Sequence, residues 1–263
     1  MLEMLVDLER YPMHALESAR GTKLIADARA ALARTGAVEL PGFLTLAGLA
    51  TALADARILA KQAYRSGGMG TAYLELPDAA WPADHPRKHF SRYDVGVVGY
   101  DQFPSDSPIR RLYEAQALMD FVGAVLERGP LFRYGDPFGA LNLAVMRDGD
   151  QLQWHFDQTD FVVSLALEDC EEGGDFEFAP KIRSSEDEGY TEVGQVLRGE
   201  SPRVARLPMQ PGTLLIFEGR NSVHRVSPLR GPTDRLVALL AYDTKLGTVS
   251  SPALRLARYG RAG

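Results

Sequence analysis

From residue 140 onward the chain stops reading with a helical period and reads with the period of a strand, and this limits the fold more than any other feature. Short apolar or alternating runs follow one another: Ala140 to Met146, Gln151 to Asp157, Phe161 to Leu167, Asp175 to Ala179, Val204 to Leu207, Thr213 to Phe217, Val223 to Val226 and Arg235 to Tyr242. Turn residues separate them. Arg147-Asp148-Gly149-Asp150 has hairpin chemistry, and Gly173-Gly174, Pro211-Gly212 and Gly219-Arg220-Asn221 break the chain again. About eight short strands at this spacing predict a double-sheet jelly roll or a related barrel.

The first part of the chain reads differently. Leu24, Ala28, Ala31 and Leu32 recur at helical spacing within 16–36, and Gly36 stands where a helix stops. Ala37 to Leu40 forms a short strand, and a second amphipathic helix covers roughly 46–65. Residues 66–108 are rich in glycine and proline, with a cluster of cationic and aromatic residues from His85 to Tyr93 ahead of a strand from Val95 to Tyr100. Such a cluster either receives an anion or is a solvated loop. A helix with a broad apolar face follows over 108–128. Residues 181–202 form a polar insertion between strands, with Ser185 and Glu188 placed as a capping box; it reads as an active-site lid or, by default, as a solvated excursion. The expectation is one domain over 1–263, mainly β within an α+β class. Helices over 1–70 flank a jelly-roll core at about 90–250.

Composition narrows the function. The 263 residues carry a net charge of −6, which argues against a general nucleic-acid binder. Cys170 is the single cysteine, so no internal disulfide forms. The N-terminus is acidic where a secretory leader needs bases, and no apolar run approaches the ~20 residues of a membrane span. A cytoplasmic location is expected.

The chemistry centres on Trp154-His155-Phe156-Asp157. In a strand, alternate side chains share a face, so His155 and Asp157 point one way and Trp154 and Phe156 the other. The only downstream histidine, His224, lies in a later strand that can return to the same place. Two imidazoles and one carboxylate, with the remaining positions open, are the donor set of a non-haem Fe(II) oxygenase. His-x-Asp alone is common and need not bind a metal. Arg235 opens the last strand with no acid on its own face. A guanidinium there needs an anion, because it cannot deprotonate and is costly to bury unpaired. It is otherwise expected to snorkel to the barrel mouth or to pair with Asp234 or Asp243.

In order, His-x-Asp, a Pro-Gly-Thr turn into a strand, a histidine within a strand and an arginine about ten residues later resemble the Fe(II)/2-oxoglutarate-dependent oxygenases. The likeness is closest to the radical halogenases of free amino acids and their hydroxylase relatives. It is carried by Gly139 to Asn142, Trp154 to Asp157, Gly173 to Phe178, Lys181 to Arg183 and Gly219 to Val226. The resemblance implies a double-stranded β-helix (cupin-like), iron on His155, Asp157 and His224, and 2-oxoglutarate on Arg235, with O2 as co-reactant. It also implies an arginine ahead of the first sheet strand that holds a substrate carboxylate, for which Arg92 is the candidate. Many such enzymes place Ser or Thr two residues after the arginine, where this chain has Val237, so Asn142 is the candidate for the second cosubstrate contact. Halogenases of the group replace the metal carboxylate with Gly or Ala; this chain keeps Asp157. Lysine-specific members set polar groups beside the iron pair, whereas here Leu152 and Gln158 stand there, and Gln158 is the second candidate substrate contact.

Three readings follow. The first is hydroxylation of an unactivated C–H bond of a small amino acid or similar metabolite. The second keeps the site but yields desaturation or oxidative cyclisation in natural-product biosynthesis. The third is a cupin-like module, metal-free or zinc-bound, that only binds a ligand. The expected partner is a small molecule, a free amino acid or derivative, with a homodimer left open and neither nucleic acid nor membrane involved.

Overall fold

The computed structural model describes residues 2–262. Its strands are β1 (Ala37–Leu40), β2 (Tyr64–Thr71), β3 (Phe90–Val98), β4 (Phe132–Arg133), β5 (Leu141–Met146), β6 (Leu152–His155), β7 (Val162–Glu168), β8 (Phe176–Ala179), β9 (Ala205–Leu207), β10 (Leu214–Phe217), β11 (Val223–Val226), β12 (Arg235–Leu240) and β13 (Tyr242–Asp243). The helices are α1 (Leu2–Leu5), α2 (Ala19–Thr35), α3 (Leu46–Ala60), α4 (Pro108–Glu114), α5 (Gln116–Leu126), α6 (Tyr190–Leu197) and α7 (Pro252–Tyr259).

Two antiparallel sheets face each other. The larger runs β1-β10-β7-β12-β5-β3-β2 and the smaller β6-β11-β8-β9. Successive strands from β5 to β12 alternate between them, apart from the β8–β9 hairpin, so the chain winds as a double-stranded β-helix. The Arg147–Asp150 turn therefore joins opposite sheets instead of closing a hairpin. Its Asp150 carboxylate accepts from the Arg147 amide at 2.7 Å and from Arg65 at 2.6 and 2.7 Å, which turns the chain across the gap.

Strand alternation assigns the faces. Leu141, Leu143, Val145, Val163, Leu165, Leu236, Ala238 and Leu240 point outward from the larger sheet into one core with α2, α3 and α5. The opposite parity, Asn142, Ala144 and Met146 on β5 with Arg235, Val237 and Leu239 on β12, lines the space between the sheets. Burial of the apolar stripes drives the layering, at roughly 1.5–3 kcal/mol per large side chain. Helix ends follow the sequence signals: Ser18 caps α2 by accepting from the Gly21 amide, and Gly36 ends it in the left-handed region at φ 69°.

Several expectations shift. The helix over 46–65 ends at Ala60, because Tyr64 already pairs with Val97 in a glycine-rich strand. The helix over 108–128 breaks at Ala115, which is extended, giving α4 and α5. The 181–202 insertion is packed. Val193 and Val196 of α6 are fully buried with Trp154 and Phe156 on the outer face of the smaller sheet. Ser185 and Glu188 form no capping box; α6 starts after Gly189 with no side-chain cap, and Glu188 pairs with Arg87 and Arg183. No helix among the described residues is long and apolar enough to cross a membrane.

Candidate metal centre

His155 ends β6 and His224 lies on β11, and the two are direct partners across that strand pair. Their rings stand 4.2 Å apart between centroids. In each, Nδ1 meets the carbonyl two residues earlier: His155 with Gln153 O at 2.8 Å, His224 with Ser222 O at 3.0 Å. A carbonyl only accepts, so each Nδ1 carries the proton and each Nε2 presents a lone pair. Asp157 completes the triangle, with Oδ1 3.9 Å from His155 Nε2 and Oδ2 3.5 Å from His224 Nε2. One ligand atom from each residue falls within 4.8 Å of the others.

The carboxylate is held by backbone and by a vacancy at one position. The Asp157 amide donates to Gly219 O at 3.1 Å. A Cβ on Gly219 would lie 1.7 Å from Asp157 Oδ2, so only glycine leaves that oxygen its place. Asp157 Oδ2 is itself buried without a hydrogen bond. Burial first, and then the neighbouring His224, hold the His155 imidazole well below its usual range, at about 4, so it stays neutral. A buried oxygen without a donor, beside two imidazoles that turn Nε2 toward it, is a donor set that fits a divalent metal.

Arg235 is buried on the cavity face of β12 and has neither hydrogen bond nor ion pair among the described residues. Asp234 instead faces Arg147 at 3.8 Å, and Asp243 accepts from Thr248. Burial lowers the Arg235 proton affinity and the nearby Asp169 charge opposes this, so the group remains a cation. Gly174, at φ 66°, lets the backbone lie against its stem; a Cβ there would sit 3.1 Å from Arg235 Cδ. The cavity thus has a metal-type triad and a free guanidinium suited to a carboxylate.

The other sequence candidates fall elsewhere. Both amide protons of Asn142 are donated, to Phe138 O and Leu141 O at 2.8 Å each, and its oxygen accepts from Tyr259 at 3.0 Å. Asn142 pairs with Leu239 and Arg235 with Met146, four strand positions or roughly 13 Å apart. It cannot share a cosubstrate carboxylate with Arg235. Arg92 carries its charge outward: it is more than half exposed, pairs with Asp94 at 2.5 Å and lies on the face opposite Tyr93. Arg87 is matched by Glu75 and Glu188, and Lys88 by the carbonyls of Ala79 and Trp81, so the cluster around His85 to Tyr93 is no open anion site. Gln158 is exposed, and its contact is a backbone one, from Arg220 to its carbonyl.

Three residues near the triad lacked a sequence assignment. Gln153 shares the face of His155, is buried, and its amide has no partner among the described residues. Gly70 makes room for it, since a Cβ there would lie 2.7 Å from Gln153 Nε2. Its i−2 position relative to His155 was the available signal. Tyr134 lies within electrostatic reach of Asp157; burial, then Asp243 and Asp157, push its hydroxyl up to about 12, so it remains a donor. The third, Arg258, lies in α7.

An antiparallel β-helix with two histidines, an aspartate and a buried arginine facing its interior defines a non-haem metal-dependent oxygenase. A family model described as halogenase D matches residues 88–251, and the chain belongs to that family, within the Fe(II)/2-oxoglutarate-dependent halogenase and hydroxylase group. No curated protein matches the chain by sequence. Solved structures share the fold. An oxidoreductase of the 2OG-Fe(II) oxygenase family from Burkholderia pseudomallei is 18% identical over 85% of this chain and 92% of its own, with a TM-score of 0.54. The non-heme alpha ketoglutarate dependent epimerase SnoN from nogalamycin biosynthesis is 17% identical over 84% and 83%, at 0.58. HygX from Streptomyces hygroscopicus, with nickel, 2-oxoglutarate and hygromycin B bound, is 12% identical over 84% and 87%, at 0.56. The chain is thus an oxygenase of this group, with His155, Asp157 and His224 as its candidate metal ligands.

Proposed function

We propose that this enzyme hydroxylates an unactivated C–H bond of a small amino acid or amino-acid-like metabolite, converting substrate, 2-oxoglutarate and O2 into the alcohol, succinate and CO2. The observation that carries the reading is Asp157 seated as the third donor beside His155 and His224. When bound, Fe(II) together with 2-oxoglutarate and O2 would supply the oxidising power for C–H hydroxylation. His155, Asp157 and His224 would hold the metal. Arg235 would fork onto the distal carboxylate of 2-oxoglutarate, its stem fixed against Gly174. Phe217 and Phe176 pack on His224 at 4.9 and 5.5 Å between centroids and keep water from that side of the site. A carboxylate in the third position occupies the place a halide needs, so oxygen rather than halogen reaches the product.

The test is a screen of free amino acids with Fe(II) and 2-oxoglutarate in chloride buffer, reading succinate release and product mass. Gain of one oxygen atom is the expected result. Loss of two hydrogens would move the reading to desaturation or ring closure, and a halogenated major product would overturn the role given to Asp157. No succinate with any candidate would overturn the amino-acid reading.

A further inference from the structure

Helix α7 lies beyond the residues that the halogenase D model matches, yet it is joined to the inner face of the larger sheet. It packs against β2 and β3, and Tyr259 at its end is buried and donates to the Asn142 side chain on the cavity face of β5. Three arginines lie at one-turn spacing near this end. Arg255 pairs with Asp136 at 3.3 Å, and Arg261 pairs with Asp101, its Nη2 at 2.7 Å from Oδ1. Arg258, between them, has no acid and no hydrogen bond among the described residues, and its Nε is buried. Its charge is close enough to be felt by His155.

We infer that Arg258 is the substrate's anion anchor: it receives the carboxylate of the amino-acid substrate beside the metal triad. This rests on the amino-acid reading above. An arginine with a buried, unsatisfied Nε costs stability until an anion arrives. The cosubstrate is not that anion. Arg235 lies opposite Met146, roughly 13 Å along the strand from Asn142, where α7 is attached. The two unpaired cations therefore stand toward opposite ends of one strand pair, one for each ligand. Gln153, with its free amide on the His155 face, can donate to a second polar group of the same molecule.

The experiment uses the full chain loaded with Ni(II) and 2-oxoglutarate, which does not turn over. Thermal shifts are read with the twenty free amino acids and with their C-terminal amides, for the unmutated protein, Arg258→Gln and Arg258→Lys. At least one free amino acid should raise the melting temperature, and its amide should bind about tenfold or more weaker. Arg258→Gln should erase the preference for acid over amide and Arg258→Lys restore part of it, with the shift caused by 2-oxoglutarate intact in both. Without ligand, Arg258→Gln should melt no lower than the parent, because it removes a guanidinium whose buried Nε has no partner among the described residues. An amino acid that binds Arg258→Gln as it binds the parent would overturn the assignment while leaving the amino-acid reading standing. Equal binding of acid and amide to the parent would do the same. If no amino acid binds the parent, the amino-acid reading fails and takes this inference with it. A melting temperature several degrees lower in ligand-free Arg258→Gln would make Arg258 a structural residue and also overturn it.

Discussion

Adding a single methyl group at Gly219 tests the metal centre without touching a ligand. An ideal Cβ there lies 1.7 Å from Asp157 Oδ2, 2.6 Å from its Cγ and 3.0 Å from its Cβ. Non-bonded heavy atoms settle at about 3.5 Å, so the oxygen would have to withdraw by roughly 1.5–2 Å. Metal–carboxylate bonds tolerate only about 0.2 Å. The carboxylate cannot both avoid the methyl and keep its corner of the triangle. Gly219 does not have a left-handed backbone, so alanine is allowed there and the fold should persist. Gly219→Ala should thus weaken Fe(II) or Co(II) binding by at least about 10–100-fold, or roughly 1.4–2.7 kcal/mol, with a melting temperature near the parent's. Anaerobic metal titration measures the first and calorimetry the second. If the effect passes through Asp157, the same change in an Asp157→Gly background should add almost nothing. Binding within about twofold of the parent, or a full additional loss in the double variant, would refute the steric argument.

Arg235→Ala should raise the Km for 2-oxoglutarate by about tenfold or more, and Arg235→Lys should recover only part of this, because an ammonium lacks the bidentate fork; steady-state succinate release checks both. The buried Asp136 carboxylate accepts from the amides of Phe138, Gly139 and Ser250, and these bonds outweigh its burial and pull it down to about 2. Its folded value is below its unfolded one, so it contributes stability above about pH 4, of order 2 kcal/mol, and this is lost as pH falls toward 2. Urea midpoints should therefore separate Asp136→Asn from the parent at neutral pH and converge in acid. Tyr259→Phe deletes a buried hydrogen bond to Asn142 and should cost about 1 kcal/mol in the same assay.

The strands were legible because β7, β10 and β12 carry apolar runs too short for helices, bounded by turn residues. The triad was legible by parity, since His155 and Asp157 share a face in any strand and one histidine remains downstream. What local pattern does not contain is the identity of a partner. The Arg147–Asp150 turn has hairpin residues, yet its strands separate into opposite sheets because Arg65, far away in sequence, takes Asp150. Strand β2, with Gly67, Gly68 and Gly70, has no apolar alternation to announce it. Arg92 and Arg258 look equally cationic in sequence; Asp94 neutralises one, and among the described residues no acid stands beside the other. Asn142 was visible as a polar residue in an apolar strand, but the donor that claims its oxygen is Tyr259, in the last helix.

The three metal donors are anchored by different means, and this makes them unequally open to change. Both imidazoles are oriented by main-chain carbonyls two residues earlier in the chain, at Gln153 and Ser222, which substitution of either side chain leaves in place. The carboxylate keeps its position because one residue, Gly219, has no side chain. Two corners of the site are thus insulated from drift, while the third depends on the identity of two residues. A lineage on this scaffold could exchange that corner, and with it the atom delivered to the substrate, without rebuilding the rest of the centre.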